Sequence, residues 1–281
     1  MLTGAARLRS IALLGGLFIP PLWPADIEPH LDQQLQTAYD QIYDQQFQAA
    51  RQTLAEYKSA HPDDPMGPVS DAAMYMLEQF HRLGILEKDF FSGNGKIFTN
   101  KPQRPPDPHL AQAFHAAIEQ AEKEAAAALH KSPHDANALL ADALAETLQA
   151  DYDALVKDQG WQALKEIEDA SAKSRQLLSF CSHCYDAYLA KGMENYILGQ
   201  QSGFTRFLLH LGGADTDEQK GLQQLKIVAE KGNYFKSYAK LLLAIAAKRQ
   251  NDKSKAKELM SQLATEYPNN MFFREALKTL G

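Results

Sequence analysis

Several things are scarce in this chain, and each absence removes a class of protein. Only two cysteines occur in 281 residues, Cys181 and Cys184, so neither a disulfide-stapled miniature fold nor a cysteine-rich zinc module fits. Basic residues are not in excess: 29 Lys and Arg stand against 35 Asp and Glu, with no cluster, which argues against nucleic acid as a partner because phosphate binding draws on clustered cations. The apolar run from Ile11 to Ile19 is short of the ~20 residues of a membrane span. No segment alternates with the period of two that a half-buried strand requires.

Catalytic signatures are equally sparse. The nine histidines form no HExxH pair, as a helical zinc protease would need. Gly93, Asn94, Gly95 and Lys96 have the wrong glycine spacing for a phosphate loop and are followed by Ile97, so they read as a turn. Glu119, Glu122 and Glu124 beside Lys123 read as a solvated helix face. No serine or cysteine nucleophile carries a recognisable flanking motif. The chain reads as no enzyme, with no cofactor and no metal.

What is present is helix-forming pattern and enough apolar residue, 45%, to bury a sizeable core. The clearest stretch runs from Phe235 to Asn270. Its first helix carries Leu241, Leu242, Leu243, Ile245 and Ala246, its second Ala256, Leu259, Met260 and Leu263. Gln250, Asn251 and Asp252 separate the two, short polar side chains that compete with the helix backbone. Pro268 closes the pair.

This pair resembles the tetratricopeptide repeat. Leu243 and Ala244 match the leucine and small residue of that family's first helix, Ala256 and Met260 the alanine and larger residue of its second, and Pro268 its closing proline. Lys240 and Ala247 stand where the family has tryptophan and tyrosine. The same phase recurs upstream: Pro62 follows Ala50, and Pro133 follows Ala121, by the twelve residues that part Pro268 from Ala256. Further helices are predicted over 69–86, 135–154, 161–178 and 184–198, with Asp215 or Thr216 capping one that ends at Gly232. The resemblance implies an all-α, TPR-like α-solenoid of stacked helical hairpins in one domain, residues 26–281. Two irregular insertions interrupt it at about 89–108 and 199–214, and a short C-terminal helix covers the last apolar face.

Residues 1–25 read as a secretory signal: Arg7 and Arg9, a short apolar run, then Pro24 and Ala25. Export, to a periplasm, is the expected destination, and membrane contact arises only if this segment is retained. In an oxidising compartment Cys181 and Cys184 are a disulfide candidate, with redox work or a metal site as alternatives.

In the family, the first helices line a concave groove that seats peptides or partner helices. By position in each unit, that groove would include Asn137, Tyr196, Tyr238, Lys248 and Arg249, whereas Leu140, Leu144, Leu189 and Ile245 read as inter-helix core. The expected function is an exported scaffold binding a protein or peptide partner in the cell envelope. The alternatives are an enzyme built on the insertions, using His109, His115 and His210, and a structural subunit of an envelope complex with the patch Phe204 to Leu211 as its contact.

Overall fold

A computed structural model describes residues 32–87, 104–199 and 217–280. The signal segment 1–25, the patch from Phe204 to Leu211 and most of both insertions lie outside them. The described residues are all-helical, with no strand. Five successive helix pairs follow one another: α1 (Gln33–Tyr43) with α2 (Phe47–Ala60), α3 (Met66–Leu83) with α4 (Pro108–Lys131), and α5 (Ala136–Leu155) with α6 (Gly160–Leu178). Then come α7 (Tyr188–Gly199) with α8 (Glu218–Lys231), and α9 (Lys236–Arg249) with α10 (Lys253–Glu266). α11 (Met271–Leu280) closes the chain against α10. Within each pair the helices pack together, and each second helix packs on the first helix of the next pair. The two predicted insertions fall between the two helices of a pair, α3 with α4 and α7 with α8, so they lengthen turns and leave the pairing intact.

Helix starts follow the sequence closely. Asp32, Asp107, Asp135, Asp217 and Asp252 each cap a helix by accepting from amides of its first turn. The cap of α8 is therefore Asp217, not Asp215 or Thr216. The helix predicted from Cys184 begins as a single 3-10 turn, Tyr185–Ala187, and becomes α-helical only at Tyr188.

The repeat phase is built into the second helices. Ala50, Ala121 and Ala256 are each fully buried, as are Leu54, Ala125 and Met260 four residues on. After each helix, His61, Ser132 or Tyr267 donates its amide back four residues at 2.8–2.9 Å, and the residue after it is the expected proline. The amides of Asp64, Asp135 and Asn270 then donate back to the carbonyls of His61, Ser132 and Tyr267 at 3.0–3.2 Å, and their own side chains accept from the next helix's first amides. One turn thus ends a helix and caps the next.

Two further copies carry no proline. In α6, Ala170 and Ser174 are fully buried, and Cys181 and Cys184 make the same two backbone bonds at 2.9 and 3.2 Å. Here a disulfide joins the ends of the turn. In α8 the small residue is Gly221, where a Cβ would sit 2.4 Å from the backbone nitrogen of Tyr196. Any larger residue would force α7 and α8 apart.

Candidate functional site

Helix α9 is the hub of the molecule. It buries ten of its fourteen residues, far more than the single stripe of a surface helix. Its entry is held by Asp186 in the 3-10 turn, whose carboxylate accepts the amides of Asn233, Tyr234 and Phe235 at 2.9, 3.3 and 3.0 Å. Burial pushes the Asp186 carboxyl up, and these three amides pull against it. One turn into α9, the Tyr238 hydroxyl donates to Asp151 of α5 at 2.8 Å. Asp151 has no comparable set of donors, and burial raises its carboxyl to about 7.

The first hairpin closes over the same helix. Tyr39 of α1 packs on the rings of Tyr234 and Phe235 at 5.2 and 5.3 Å, and Tyr43 donates to the carbonyl of Tyr234 at 3.0 Å. Asp44 accepts from the backbone and side-chain nitrogens of Asn269 at 2.8 and 2.6 Å, and the Asn270 amide donates to the Tyr43 carbonyl at 2.8 Å. First helices from both ends of the chain therefore meet in the interior.

This closure decides the fate of the five predicted groove residues. Tyr238 and Tyr196 are 1% and 3% exposed; both are core, not groove, because the surfaces they occupy face other helices. Asn137 is half-buried in a shallow depression beside Asp64, Pro65 and Ala128, with no share in the surface around α9. Lys248 and Arg249 are half-buried near the end of α9, and burial, then the neighbouring Arg249, pulls the Lys248 ammonium below its usual range. The five do not assemble into one site. Leu140, Leu144, Leu189 and Ile245 are core, as expected.

A different strip of α9 borders a recess. Leu243, Ala246, Ala247 and Gln250 floor a groove of about 370 Å³, walled by α8 on one side and α10 on the other. The α8 wall presents Gln219, Leu222, Gln223 and Lys226, the α10 wall Lys255, Glu258, Leu259 and Gln262. In the sequence, positions 243, 246, 247 and 250 fall on one helical face of leucine, alanine and glutamine, a pattern that does not by itself mark a recess. The family register pointed to the opposite face.

Comparison with protein-family models, curated proteins and solved structures returns no match to this chain. The groove must therefore be judged on its own chemistry. Its lysines are paired within the protein, Lys255 with Glu258 at 2.9 Å, Lys226 with Glu230 at 3.7 Å and Lys240 with Glu266 at 2.8 Å, and Asp252 caps α10. No aromatic ring lines it.

A second polar cluster lies between α4, α5 and α6. Glu166 of α6 is buried beside Asp153 of α5, and burial, with the Asp153 charge adding to it, raises its carboxyl to about 7. Lys157 and Gln149 hold Asp153 at 2.8 and 2.9 Å. His115 packs edge-on against Tyr152 at 5.3 Å, and burial lowers its pKa. His109 is exposed at the start of α4, and His210 lies outside the described residues. No cavity opens onto His109 and His115 together among the best-formed ones in the described residues. Among those residues no group of three or more His, Cys, Asp and Glu is arranged to hold a metal, and no helix is long and apolar enough to cross a membrane.

Proposed function

We propose that the protein is an exported, tetratricopeptide-like helical scaffold that binds a protein or peptide partner in the cell envelope. The observation that carries this reading is the three-helix groove over α9, a recess of about 370 Å³ with a helix on each wall and a third as its floor. Its floor and walls come from rigid helices, which hold a binding surface without the ordering cost of a loop. The solenoid reading draws on the second-helix phase and on successive pairs packing in order. The bonded Cys181–Cys184 pair supports export, since disulfides persist in oxidising compartments. The binding surface proposed here is the groove between second helices α8 and α10, in place of the concave one the family resemblance implies.

Site-specific photo-crosslinking in cells that export the chain tests this. A benzophenone amino acid replacing Lys226 or Glu258, one on each wall, should yield a discrete crosslinked partner band. The same group replacing Lys123, exposed on α4, should not. Equal bands from all three positions, or none from the groove, would refute the reading.

A further inference from the structure

Building on that reading, we infer that the occupant of the α8–α9–α10 groove is an uncharged peptide segment in extended conformation, held through its main chain by glutamine side chains. Four glutamines stand around the groove: Gln219 and Gln223 on α8, Gln250 at the end of α9 and Gln262 on α10. All four are exposed. A primary amide is both donor and acceptor, so a ring of four can match the alternating N–H and C=O of an extended chain without selecting side chains. Gln250 and Gln262 reach only their neighbours Glu218 and Glu258, each at a long 3.3 Å, bonds that exchange readily for better ones.

Charge decides against acidic or basic partners. The charges in the lining balance, Lys226, Lys240 and Lys255 against Glu230, Asp252 and Glu258, so the groove carries no excess of either sign to steer a charged segment. Shape and chemistry decide against a helix. A helix satisfies its own backbone and would leave the four amides to solvent, whereas an extended chain can engage them and still set alternate side chains against Leu222, Leu243 and Leu259. The floor from Lys240 to Gln250 is about 15 Å long at the helical rise, room for about five extended residues at about 3.3 Å each. The absence of an aromatic ring in the lining removes the stacking surface a sugar ring would use.

The test uses three synthetic probes with blocked termini and a fluorophore, titrated against the purified chain by anisotropy. One alternates leucine with threonine, one replaces the threonines by lysine or glutamate, and one is an alanine-rich helix locked by a side-chain staple. The uncharged extended probe should bind most tightly, and Gln223→Leu with Gln262→Leu should weaken it about tenfold, the effect of losing hydrogen bonds worth about 1 kcal/mol or less each. Raising the salt should leave its affinity unchanged. Preference for the helical or charged probe, binding by none, or unchanged affinity in the glutamine variant overturns the inference. Crosslinking from Lys226 and Glu258 judges the groove separately, so a groove that captures a helical or charged partner would sink this inference alone.

Discussion

Asp186 and Asp151 are both buried and both hold the start of α9, yet with very different sets of donors. Asp186 meets three backbone amides at the entrance to the helix; Asp151 meets one tyrosine hydroxyl. Three donors substitute for the water a carboxylate gives up on burial, whereas one hydroxyl does not, and a carboxyl in that position keeps its proton until about pH 7. Burial raises both carboxyls, and only at Asp186 do several donors pull the other way.

The comparison breaks most visibly at Asp186. Asp186→Ala leaves three amides facing a cavity at the start of the hub helix, and urea unfolding should show a loss of about 3 kcal/mol. Asp186→Asn, which retains one acceptor oxygen, should lose about half of that. A loss no greater than that of a surface substitution would mean that the amides find other partners and that Asp186 is not the clamp described.

Asp151 predicts the reverse behaviour, and its sign follows from titration. Its folded pKa of about 7 lies above the ordinary 3.8, so its contribution is fully present below the unfolded value and is lost as pH rises through about 7. Asp151→Asn accepts the same Tyr238 hydroxyl and has no proton to lose. The variant should therefore be more stable than the parent at pH 8, by on the order of 2 kcal/mol, and the difference should close towards pH 4. Thermal melts across that range measure it, and a constant offset at every pH would show that Asp151 is ionised throughout.

The smallest effect sharpens the link between the disulfide and Asp186, because Cys184 immediately precedes the 3-10 turn that carries this carboxylate. Cys181→Ser with Cys184→Ser opens a very short covalent loop, worth about 2 kcal/mol by chain entropy. Combined with Asp186→Ala, the two changes should cost less than their separate effects added together. Strict additivity would separate the cross-link from the clamp.

Much of the architecture was legible locally. The small residue, its partner four residues on and the proline at twelve identified α2, α4 and α10, because each is a local packing or turn requirement. The copies in α6 and α8 escaped notice since Ser182 and Asn233 replace proline and the turn is completed by a disulfide or by Asp186. The cysteine pair, a disulfide candidate in the sequence, is bonded across the turn. The five groove candidates of the family register come apart for a different reason. Tyr196 and Tyr238 carry the same local pattern whether their helix faces solvent or a distant helix, and the contacts that bury this interior join residues about two hundred positions apart. Leu243, Ala246 and Ala247 looked unremarkable because a recess is made by what the neighbouring helices leave uncovered, a property no single helix encodes.

The bonds of Tyr43 and Asp44 to Tyr234, Asn269 and Asn270 also impose an order of events. The second to fifth hairpins can each dock on the one before as soon as it is made, but α1 cannot complete its contacts until residue 270 has left the ribosome. Through synthesis and any passage across a membrane, the aromatic face of α1 waits for partners at the other end of the chain. Its final docking is a long-range step, and a chain truncated before Tyr234 would leave that aromatic face uncovered.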